Sequence, residues 1–333
     1  MTMPVAIIGA GGWGTALAVT LSRADRKVSL WVYEPDLADV MTESRVNSVY
    51  LPSIKIPGSI RISNSMASAL ENSRIVIMAV PSHVFRSVVE TMGPLVRPDT
   101  IFVSATKGIE TRTRMRMSQV LIDVLGPGVE PRIAVISGPT FAPEVARGVP
   151  TALVVASALE SLRIQLQNEL SSPRFRLYTN PDIIGVEIGA ATKNIIAIAA
   201  GVADGLGLGS NAVAALVTRG LAEITRLAVA CGGRRETLSG LAGLGDLILT
   251  SYGDLSRNRT VGIALGQGRR IEEILGGMRS VAEGVKTTES AVALARTLKV
   301  EMPIAERMNA VLYEGLKVQD AINDLMERKL KEE

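Results

Sequence analysis

The chain has 333 residues, of which 47% are hydrophobic and 21% charged, and its 36 basic and 33 acidic residues leave a formal net charge of +3. This length is enough for two domains with full cores, and this composition excludes an intrinsically disordered protein. Because aromatic residues make up only 3% and no long basic run is interleaved with them, we expect no nucleic-acid partner.

The N-terminal segment up to Ser22 has no charged side chain, but it lacks the basic start of a signal peptide, and its glycines would break an isolated apolar helix. We expect no later segment to be both long and apolar enough to span a bilayer. The only cysteine, Cys231, cannot form an intramolecular disulfide. These features predict a cytoplasmic protein without membrane insertion.

The first predicted strand, residues 5–8, runs into the hexapeptide GAGGWG, and a helical pattern follows from Thr15. Gly9, Gly11 and Gly14 fit G-x-G-x-x-G, whose glycines in turn make a tight turn, let the backbone approach a pyrophosphate and pack the helix closely. Backbone N–H groups and the helix dipole then supply positive potential to the phosphates. The loop therefore predicts a dinucleotide site.

The second predicted strand, residues 28–32, is followed by Tyr33 and Glu34. Glu34 lies at the separation from the glycine loop at which an acid usually meets the adenosine ribose. An acid there favours NAD, whereas a basic neighbour would favour NADP. Within the loop, Gly12 and Trp13 are not prescribed by the fingerprint, and Trp13 can be core filler or a cofactor contact. The sequence thus predicts NAD or NADP and leaves the preference open.

Short apolar runs alternate with helical stretches through the first half of the chain. After the first two strands, predicted strands cover residues 75–80, 100–104, 133–136 and 152–156. They are apolar nearly throughout, which is typical of a parallel sheet with helices on both faces. From Pro181 onward the sequence is helical almost to its end. We predict an α/β fold with a Rossmann-type doubly wound dinucleotide-binding domain over residues 1–178 and an all-helical substrate-binding and catalytic domain over residues 179–333.

Two segments that follow predicted strands carry candidate substrate-binding residues. Lys107 and Gly108 follow one strand, and Gly138 and Thr140 follow another, at the sheet edge where open α/β sheets bind ligands. The alternative is that Lys107 is a solvated surface residue and that Thr140 caps a helix.

The helical half carries candidate catalytic residues. Lys193 lies in EIGAATKNIIAIAAG, where small and apolar residues surround it at helical spacing. Unless it extends its ammonium to water, desolvation lowers its pKa, so that it can act as an acid or base. Asp246, in GLGDLILT, can stabilise that ammonium, while Arg257 and Asn258, in SRNR, are suited to phosphate. We expect His83, the only histidine, to lie in a loop beside the cofactor without acting as a base.

These motifs occur together and in order: GAGGWG, AVPSH at 79–83, ATKGIE at 105–110, GPTFAPEVA at 138–146, GAATKNIIAIAAG at 189–201, GLGDLILT at 243–250, SRNR at 256–259 and VAEGVKT at 281–287. With them, the chain resembles bacterial NAD(P)-dependent glycerol-3-phosphate dehydrogenases over essentially its full length. The resemblance implies a Rossmann domain, a helical domain like that of 6-phosphogluconate dehydrogenase, and catalysis in the cleft between them. It also implies a homodimer that interconverts dihydroxyacetone phosphate and sn-glycerol 3-phosphate without a metal and supplies glycerol phosphate for phospholipid synthesis.

The resemblance further implies roles for individual residues. Lys193 is expected to exchange the proton, with Asp246 as the second catalytic residue. Contacts with the phosphorylated triose are expected from Lys107, Gly138, Thr140, Lys193, Asp246, Ser256, Arg257 and Asn258. Contacts with the dinucleotide are expected from Gly9, Gly11, Gly12, Trp13, Gly14, Tyr33, Lys107, Ala142, Arg257, Val281 and Glu283.

Two positions depart from the family pattern. Thr140 stands where the family often has serine, which keeps the hydroxyl. Tyr33 stands where many members carry histidine or arginine, which weakens the case for NADP unless Arg45 substitutes. Two other functions stay open: a related dehydrogenase for a hydroxy acid or ketopantoate, and a catalytically silent dinucleotide-binding sensor.

Overall fold

The structure, a computed structural model, describes residues 3–278 and 282–327. Its strands are β1 (Val5–Ile8), β2 (Val28–Trp31), β3 (Val46–Asn47), β4 (Leu51–Lys55), β5 (Arg61–Ser63), β6 (Ile75–Met78), β7 (Ile101–Ser104), β8 (Ile133–Ser137), β9 (Thr151–Ala156) and β10 (Phe175–Asn180).

The α-helices before the last strand are α1 (Gly12–Arg23), α2 (Pro35–Ser44), α3 (Met66–Leu70), α4 (Phe85–Met92), α5 (Met117–Leu125), α6 (Ala142–Arg147) and α7 (Glu160–Leu170). Those after it are α8 (Ile183–Gly205), α9 (Gly209–Ala230), α10 (Arg235–Leu238), α11 (Asp246–Tyr252), α12 (Arg257–Gly266), α13 (Ile271–Gly276), α14 (Glu283–Thr297), α15 (Pro303–Tyr313) and α16 (Val318–Met326). Short 3₁₀ turns cover Ser82–Val84, Gly93–Leu95 and Pro127–Arg132, and a π-helical turn covers Leu241–Gly245.

Eight strands form one sheet in the order β10-β9-β8-β7-β6-β1-β2-β5. The strand order reverses at β1, which pairs in parallel with β2 on one side and with β6 on the other. Open α/β sheets bind ligands at such a switch point, outside the carboxyl ends of the strands. The predicted Rossmann-type doubly wound sheet followed by a helical half is confirmed.

The alternation of side chains in β1 explains why the central strands are apolar nearly throughout. Val5 and Ile7 pack into the core on one face of the sheet, and Ala6 and Ile8 pack into the core on the other face. A strand that is covered on both faces needs apolar residues at every position, whereas a strand at a solvated sheet face alternates.

Two details of the sheet differ from the sequence-based prediction. Strands β8 and β9 pair antiparallel, so β9 and β10 run opposite to the other six strands. A continuous apolar run indicates burial but not direction, so the sequence could not reveal this reversal. The edge strand β5 and the separate β3–β4 hairpin were also not predicted. Both carry polar residues and are two to five residues long.

Helix α8 is the centre of the helical half, and it is buried from Gly185 to Ala203 with little interruption. By length and composition it could cross a membrane, so the expectation that no such segment exists was wrong. However, 89% of its most apolar window is buried inside the protein, among the other helices. It is therefore the apolar core helix of this half, and Lys193 lies in its middle.

Candidate active site

The glycine loop lies at the switch point of the sheet, and its backbone explains two of its glycines. Gly9 has φ = +110°, and a Cβ added there would lie 2.7 Å from the carbonyl oxygen of Ala79. A Cβ on Gly14 would collide with the carbonyl oxygen of Gly9. Only glycine fits at both positions, because the first needs a left-handed backbone and the second a close approach of helix to strand.

The surroundings of Gly11 fit a dinucleotide phosphate. Gly11 precedes the first turn of α1, and an added Cβ would meet no protein atom within 4 Å. No acidic residue occupies the first turn of α1, so no side-chain charge there offsets the positive end of the helix dipole, which favours an anion. The loop therefore offers a cradle in which the backbone can approach an anion.

Gly12, Trp13 and Ala142 line the same end of α1. A Cβ on Gly12 would lie 3.0 Å from the carbonyl oxygen of Tyr50 and 3.8 Å from the Cβ of Ala142. Trp13 is half-buried and packs against the core of the first half. Its indole N–H is buried and has no hydrogen-bond partner within the described part of the chain. Trp13 thus fills the core at the cradle, and its role as a cofactor contact stays a prediction.

The end of β2 presents the two residues on which cofactor preference depends. Tyr33 is 75% exposed and meets Trp31 edge-to-face, with 6.0 Å between the ring centroids. Glu34 accepts a hydrogen bond of 3.1 Å from the Tyr50 hydroxyl, which holds its carboxylate at the strand end. The guanidinium of Arg45 instead donates to the carbonyl oxygen of Ile60 at 2.8 Å, so it is already engaged away from this end.

Lys193, Lys107 and Asp246 form a buried charged cluster near the sheet edge. Asp246 Oδ1 accepts from Lys193 Nζ at 2.5 Å, and Oδ2 accepts from Lys107 Nζ at 2.6 Å. The exposed fractions of the Lys193, Asp246 and Lys107 side chains are 6%, 1% and 18%. The structure thus unites three residues from β7's loop, α8 and α11 that are far apart in sequence.

Thr250 completes the surroundings of Lys193, although the sequence analysis did not identify it. Its hydroxyl accepts from Lys193 Nζ at 2.5 Å and donates to the backbone carbonyl of Asp246 at 2.6 Å. Thr250 lies four residues after Asp246 on α11, so both side chains share one face of that helix. This spacing was the available signal for Thr250.

The protonation of this cluster follows from burial and from its charges. Burial lowers the pKa of Lys193 to about 7, with Asp246 opposing the shift and Lys107 adding to it. Burial alone would raise the pKa of Asp246, but the two ammonium groups outweigh it and hold that pKa below its ordinary value. A lysine with a pKa near neutrality can both donate and accept a proton at physiological pH.

Gly138 and Thr140 lie beside Lys107. The carbonyl oxygen of Gly138 accepts from Lys107 Nζ at 3.4 Å and from the Thr140 hydroxyl at 3.2 Å. Gly138 has φ = +154°, and an added Cβ would lie 2.8 Å from Leu153, so this position requires glycine. Both predicted residues therefore lie next to the lysine cluster.

Ser256, Arg257 and Asn258 form the N-terminus of α12. Ser256 is the N-cap, because its hydroxyl accepts the Arg259 backbone N–H at 3.2 Å. Arg257 is exposed, and Asn258 is buried with its amide oxygen accepting the Gly284 N–H at 3.0 Å. An arginine and an amide at a helix N-terminus provide donors suited to a phosphate.

Glu283 connects the two halves of the chain at this point. Its Oε2 accepts from the Ser82 hydroxyl at 2.7 Å, and an added Cβ on Gly108 would lie 3.7 Å from the same oxygen. Burial raises the pKa of Glu283, with hydrogen bonds from Ser82 and the charge of Arg257 opposing the shift. Glu283 therefore lies between the N-terminus of α12 and the loop that carries Lys107.

The structure leaves two remaining candidates as predictions. His83 is exposed in the 3₁₀ turn after β6, and the expectation that it lies beside the cofactor without acting as a base stays a prediction. Val281 lies outside the described residues. Within residues 3–278 and 282–327, no group of three or more His, Cys, Asp or Glu side chains is placed to hold a metal ion.

Comparison with known proteins gives two matching family models. Residues 4–163 match the N-terminal region of NAD-dependent glycerol-3-phosphate dehydrogenase, and residues 182–323 match its C-terminal region. The chain is 53% identical over 326 residues to a glycerol-3-phosphate dehydrogenase [NAD(P)+] from Koribacter versatilis, covering 97% of both chains. It is 50% identical to one from Geobacter sulfurreducens, covering 100% of this chain and 99% of the relative. A crystal structure of glycerol-3-phosphate dehydrogenase from Coxiella burnetii matches with a TM-score of 0.94 and 42% identity, covering 98% of this chain and 99% of the other.

Proposed function

The chain belongs to the NAD-dependent glycerol-3-phosphate dehydrogenase family, and on this premise we propose that it interconverts dihydroxyacetone phosphate and sn-glycerol 3-phosphate. The observation that carries the proposal is the buried cluster in which Lys193 and Lys107 share the Asp246 carboxylate. A buried ammonium beside the carboxyl edge of a dinucleotide-binding sheet is suited to exchange a proton with a carbonyl or alcohol oxygen.

Lys193 is the proposed proton donor in reduction and acceptor in oxidation. Its pKa of about 7 means that both protonation states are populated near neutral pH. In reduction, the Nζ proton passes to the oxygen on C2 of the triose, and in the reverse direction Nζ takes that proton back. Asp246 and Thr250 hold Nζ in place through hydrogen bonds of 2.5 Å each. Lys107 supplies a second positive charge that favours the developing alkoxide.

Arg257 and Asn258 are the proposed binding groups for the substrate phosphate. The guanidinium of Arg257 can bind two phosphate oxygens at once, and the helix N-terminus adds N–H donors. Ser256 supports this group as the N-cap of α12. Binding energy from the phosphate, which does not react, then holds the carbonyl carbon in position for hydride transfer. Gly138 and Thr140 would contact the other end of the substrate.

The glycine loop, with Gly9, Gly11 and Gly14, is the proposed pyrophosphate site. A bound NAD(P)H supplies the hydride. We propose that Gly12, Trp13 and Ala142 line the same cofactor. The remaining proposed cofactor contacts are Tyr33, Lys107, Arg257, Val281 and Glu283, of which Val281 lies outside the described residues.

The assembly, location and role of the protein belong to the same proposal. We propose a homodimer in the cytoplasm that provides glycerol phosphate for phospholipid synthesis, with a domain limit near residue 179. The last strand ends at Asn180 and α8 begins at Ile183, which supports that limit. The single cysteine is compatible with a reducing compartment.

Initial rates test the proposed activity and both alternatives. NADH and NADPH consumption is followed by absorbance with dihydroxyacetone phosphate and with unphosphorylated dihydroxyacetone. We expect kcat/KM to be much higher for the phosphorylated ketone, because Arg257 and Asn258 bind its phosphate. Equal activity on both ketones, or NAD(P)H consumption only when ketopantoate or the keto form of a hydroxy acid is added instead, would favour a related dehydrogenase. No consumption with any substrate would favour a dinucleotide-binding sensor.

A further inference from the structure

Glu187 is a buried carboxylate on α8 that is separate from the lysine cluster. It lies six residues before Lys193, and 4% of its side chain is exposed. Its Oε1 accepts the Ser118 backbone N–H at 2.8 Å. Its Oε2 accepts from the Ser118 hydroxyl at 2.6 Å and from Arg116 Nη1 at 2.5 Å. Three donors, one of which is the charged guanidinium of Arg116, thus compensate a carboxylate whose burial is otherwise costly.

Arg116 lies at the end of the segment that carries Lys107, directly before α5. This segment joins β7 to α5, and within it Ile109 pairs with Arg116 in an antiparallel bridge. The Glu110 N–H donates to the carbonyl of Met115 at 2.9 Å, inside that bridge. Lys107 lies two residues before Ile109, so its backbone is tied to Arg116 through a short hydrogen-bonded loop.

The same segment is held by the helical half in two ways. Ile109, which comes from the first half of the chain, is buried in the core of the helical half, which also contains Ile188 of α8. Arg116 and Ser118 are fixed next to it by Glu187, the residue that precedes Ile188. An apolar contact and a charged contact therefore hold the Lys107 segment against the helix that bears Lys193.

We propose that Glu187 is a positioning residue, which acts through Arg116 and Ser118 to set where the Lys107 ammonium lies relative to Lys193. The inference rests on the proposed function, because it assigns a purpose to the geometry of the proposed proton-exchanging cluster. Glu187 itself contacts neither lysine. Without its carboxylate, the segment keeps the Ile109 contact but loses the charged one, so Lys107 gains freedom to move away from Asp246.

The protonation of Lys193 reports such a movement. The charged groups that act on Lys193 are Asp246, which raises its pKa, and Lys107, which lowers it. If the Lys107 ammonium moves away, its repulsion weakens and the pKa of Lys193 rises above its wild-type value. A residue that only stabilises the fold would not cause this shift.

The test compares Glu187→Gln with Asp182→Asn. Asp182 is also a buried carboxylate at α8, and it also accepts three hydrogen bonds, from the Gly185 N–H, the Arg234 N–H and the Thr237 hydroxyl. It joins α8 to the region of α10 and not to the Lys107 segment. Both variants replace one buried carboxylate by an amide, so each shows how much the loss of a buried charge changes the stability of the fold. The measurements are kcat and KM for dihydroxyacetone phosphate reduction from pH 5.5 to 9, NADH affinity, and thermal unfolding.

Glu187→Gln is expected to lower kcat by about 10-fold to 100-fold, the range that follows from a small misplacement of a catalytic group. Its kcat profile should shift to higher pH, while NADH affinity stays near the wild-type value. Asp182→Asn should change only thermal unfolding. If both variants give the wild-type profile, or if both shift it equally, Glu187 has no positioning role.

Two further variants keep the test decisive. Where Glu187→Gln does not fold, Ser118→Ala replaces it under the same criteria, because it removes one donor and leaves the Arg116 pair. Within a Lys107→Gln background, Glu187→Gln should cause no further shift of the profile. A further shift there would overturn the inference that Glu187 acts through Lys107. Failure of the proposed function is distinct, since the wild-type protein would then not reduce dihydroxyacetone phosphate at all.

Discussion

Replacement of Asp246 by asparagine tests the electrostatics of the proposed site. The Asp246 carboxylate lies between two ammonium groups, 2.5 Å from Lys193 Nζ and 2.6 Å from Lys107 Nζ, and only 1% of its side chain is exposed. Asparagine has nearly the same size and shape, so the substitution removes the charge while it leaves the volume unchanged. Two buried ammonium groups then face each other without a counter-charge.

The expected size of the effect follows from Coulomb's law. Two opposite unit charges about 4 Å apart attract by about 4 kcal/mol at an effective dielectric constant of about 20, which corresponds to about 3 pKa units. Loss of this attraction moves the pKa of Lys193 from about 7 towards about 4. At pH 7 the protonated fraction then falls from about one half to about one in a thousand. Reduction, which needs the protonated amine, should slow by a similar factor.

The assay is the pH dependence of kcat for dihydroxyacetone phosphate reduction at saturating NADH. In the wild-type protein we expect kcat to fall as pH rises through about 7, because Lys193 loses its proton. In Asp246→Asn the fall should occur at lower pH. An apparent pKa that stays in place or rises would show that the Asp246 charge does not hold the proton on Lys193. Asp182→Asn, which changes a buried aspartate outside the cluster, controls for general effects on folding.

Two further predictions concern the cofactor. Gly11→Ala should leave thermal stability within about 0.5 kcal/mol of wild type but weaken NADH binding, since its Cβ has open space where a phosphate is expected. Gly14→Ala should cost about 1–3 kcal/mol or more in the free energy of unfolding, because its Cβ collides with a carbonyl oxygen. Denaturant unfolding and fluorescence titration with NADH distinguish the two, and equal stabilities would contradict this assignment. Glu34→Gln should raise the ratio of NADH to NADPH dissociation constants, because it removes a negative charge near the expected 2′-phosphate. Arg45→Gln is the control, since the Arg45 guanidinium is engaged by Ile60, and an unchanged ratio in Glu34→Gln would contradict a role for that carboxylate.

The sequence predicted the elements that depend on local pattern. The strands β1, β2 and β6 were predicted because they are buried on both faces and hence apolar at nearly every position. The glycine loop was predicted because two of its positions tolerate no side chain. The hairpin β3–β4 and the edge strand β5 were missed, because they are short and partly exposed and so carry no such pattern.

Long-range contacts account for the parts of the site that the sequence could not reveal. The sequence predicted that Asp246 stabilises the Lys193 ammonium, but it did not reveal that Lys107 shares the same carboxylate, because that pairing depends on packing between the sheet and the helical half. Thr250 was not predicted, although its helical spacing from Asp246 could have indicated it, whereas Glu187 had no such signal because its partners lie about 70 residues earlier in the chain. Residue types in a motif can indicate chemistry, whereas these partnerships depend on the tertiary fold.

The most direct test of the proposed proton exchange is the rate of dihydroxyacetone phosphate reduction by Lys193→Ala in a single turnover, with NADH binding measured on the same sample. Lys193 lies in the middle of α8, and alanine is a good helix former, so the helix should persist. We expect a loss of about 100-fold or more in the reduction rate, the size typical of a missing general acid, with NADH affinity unchanged. A near-normal rate would contradict the assignment of Lys193 as the proton donor.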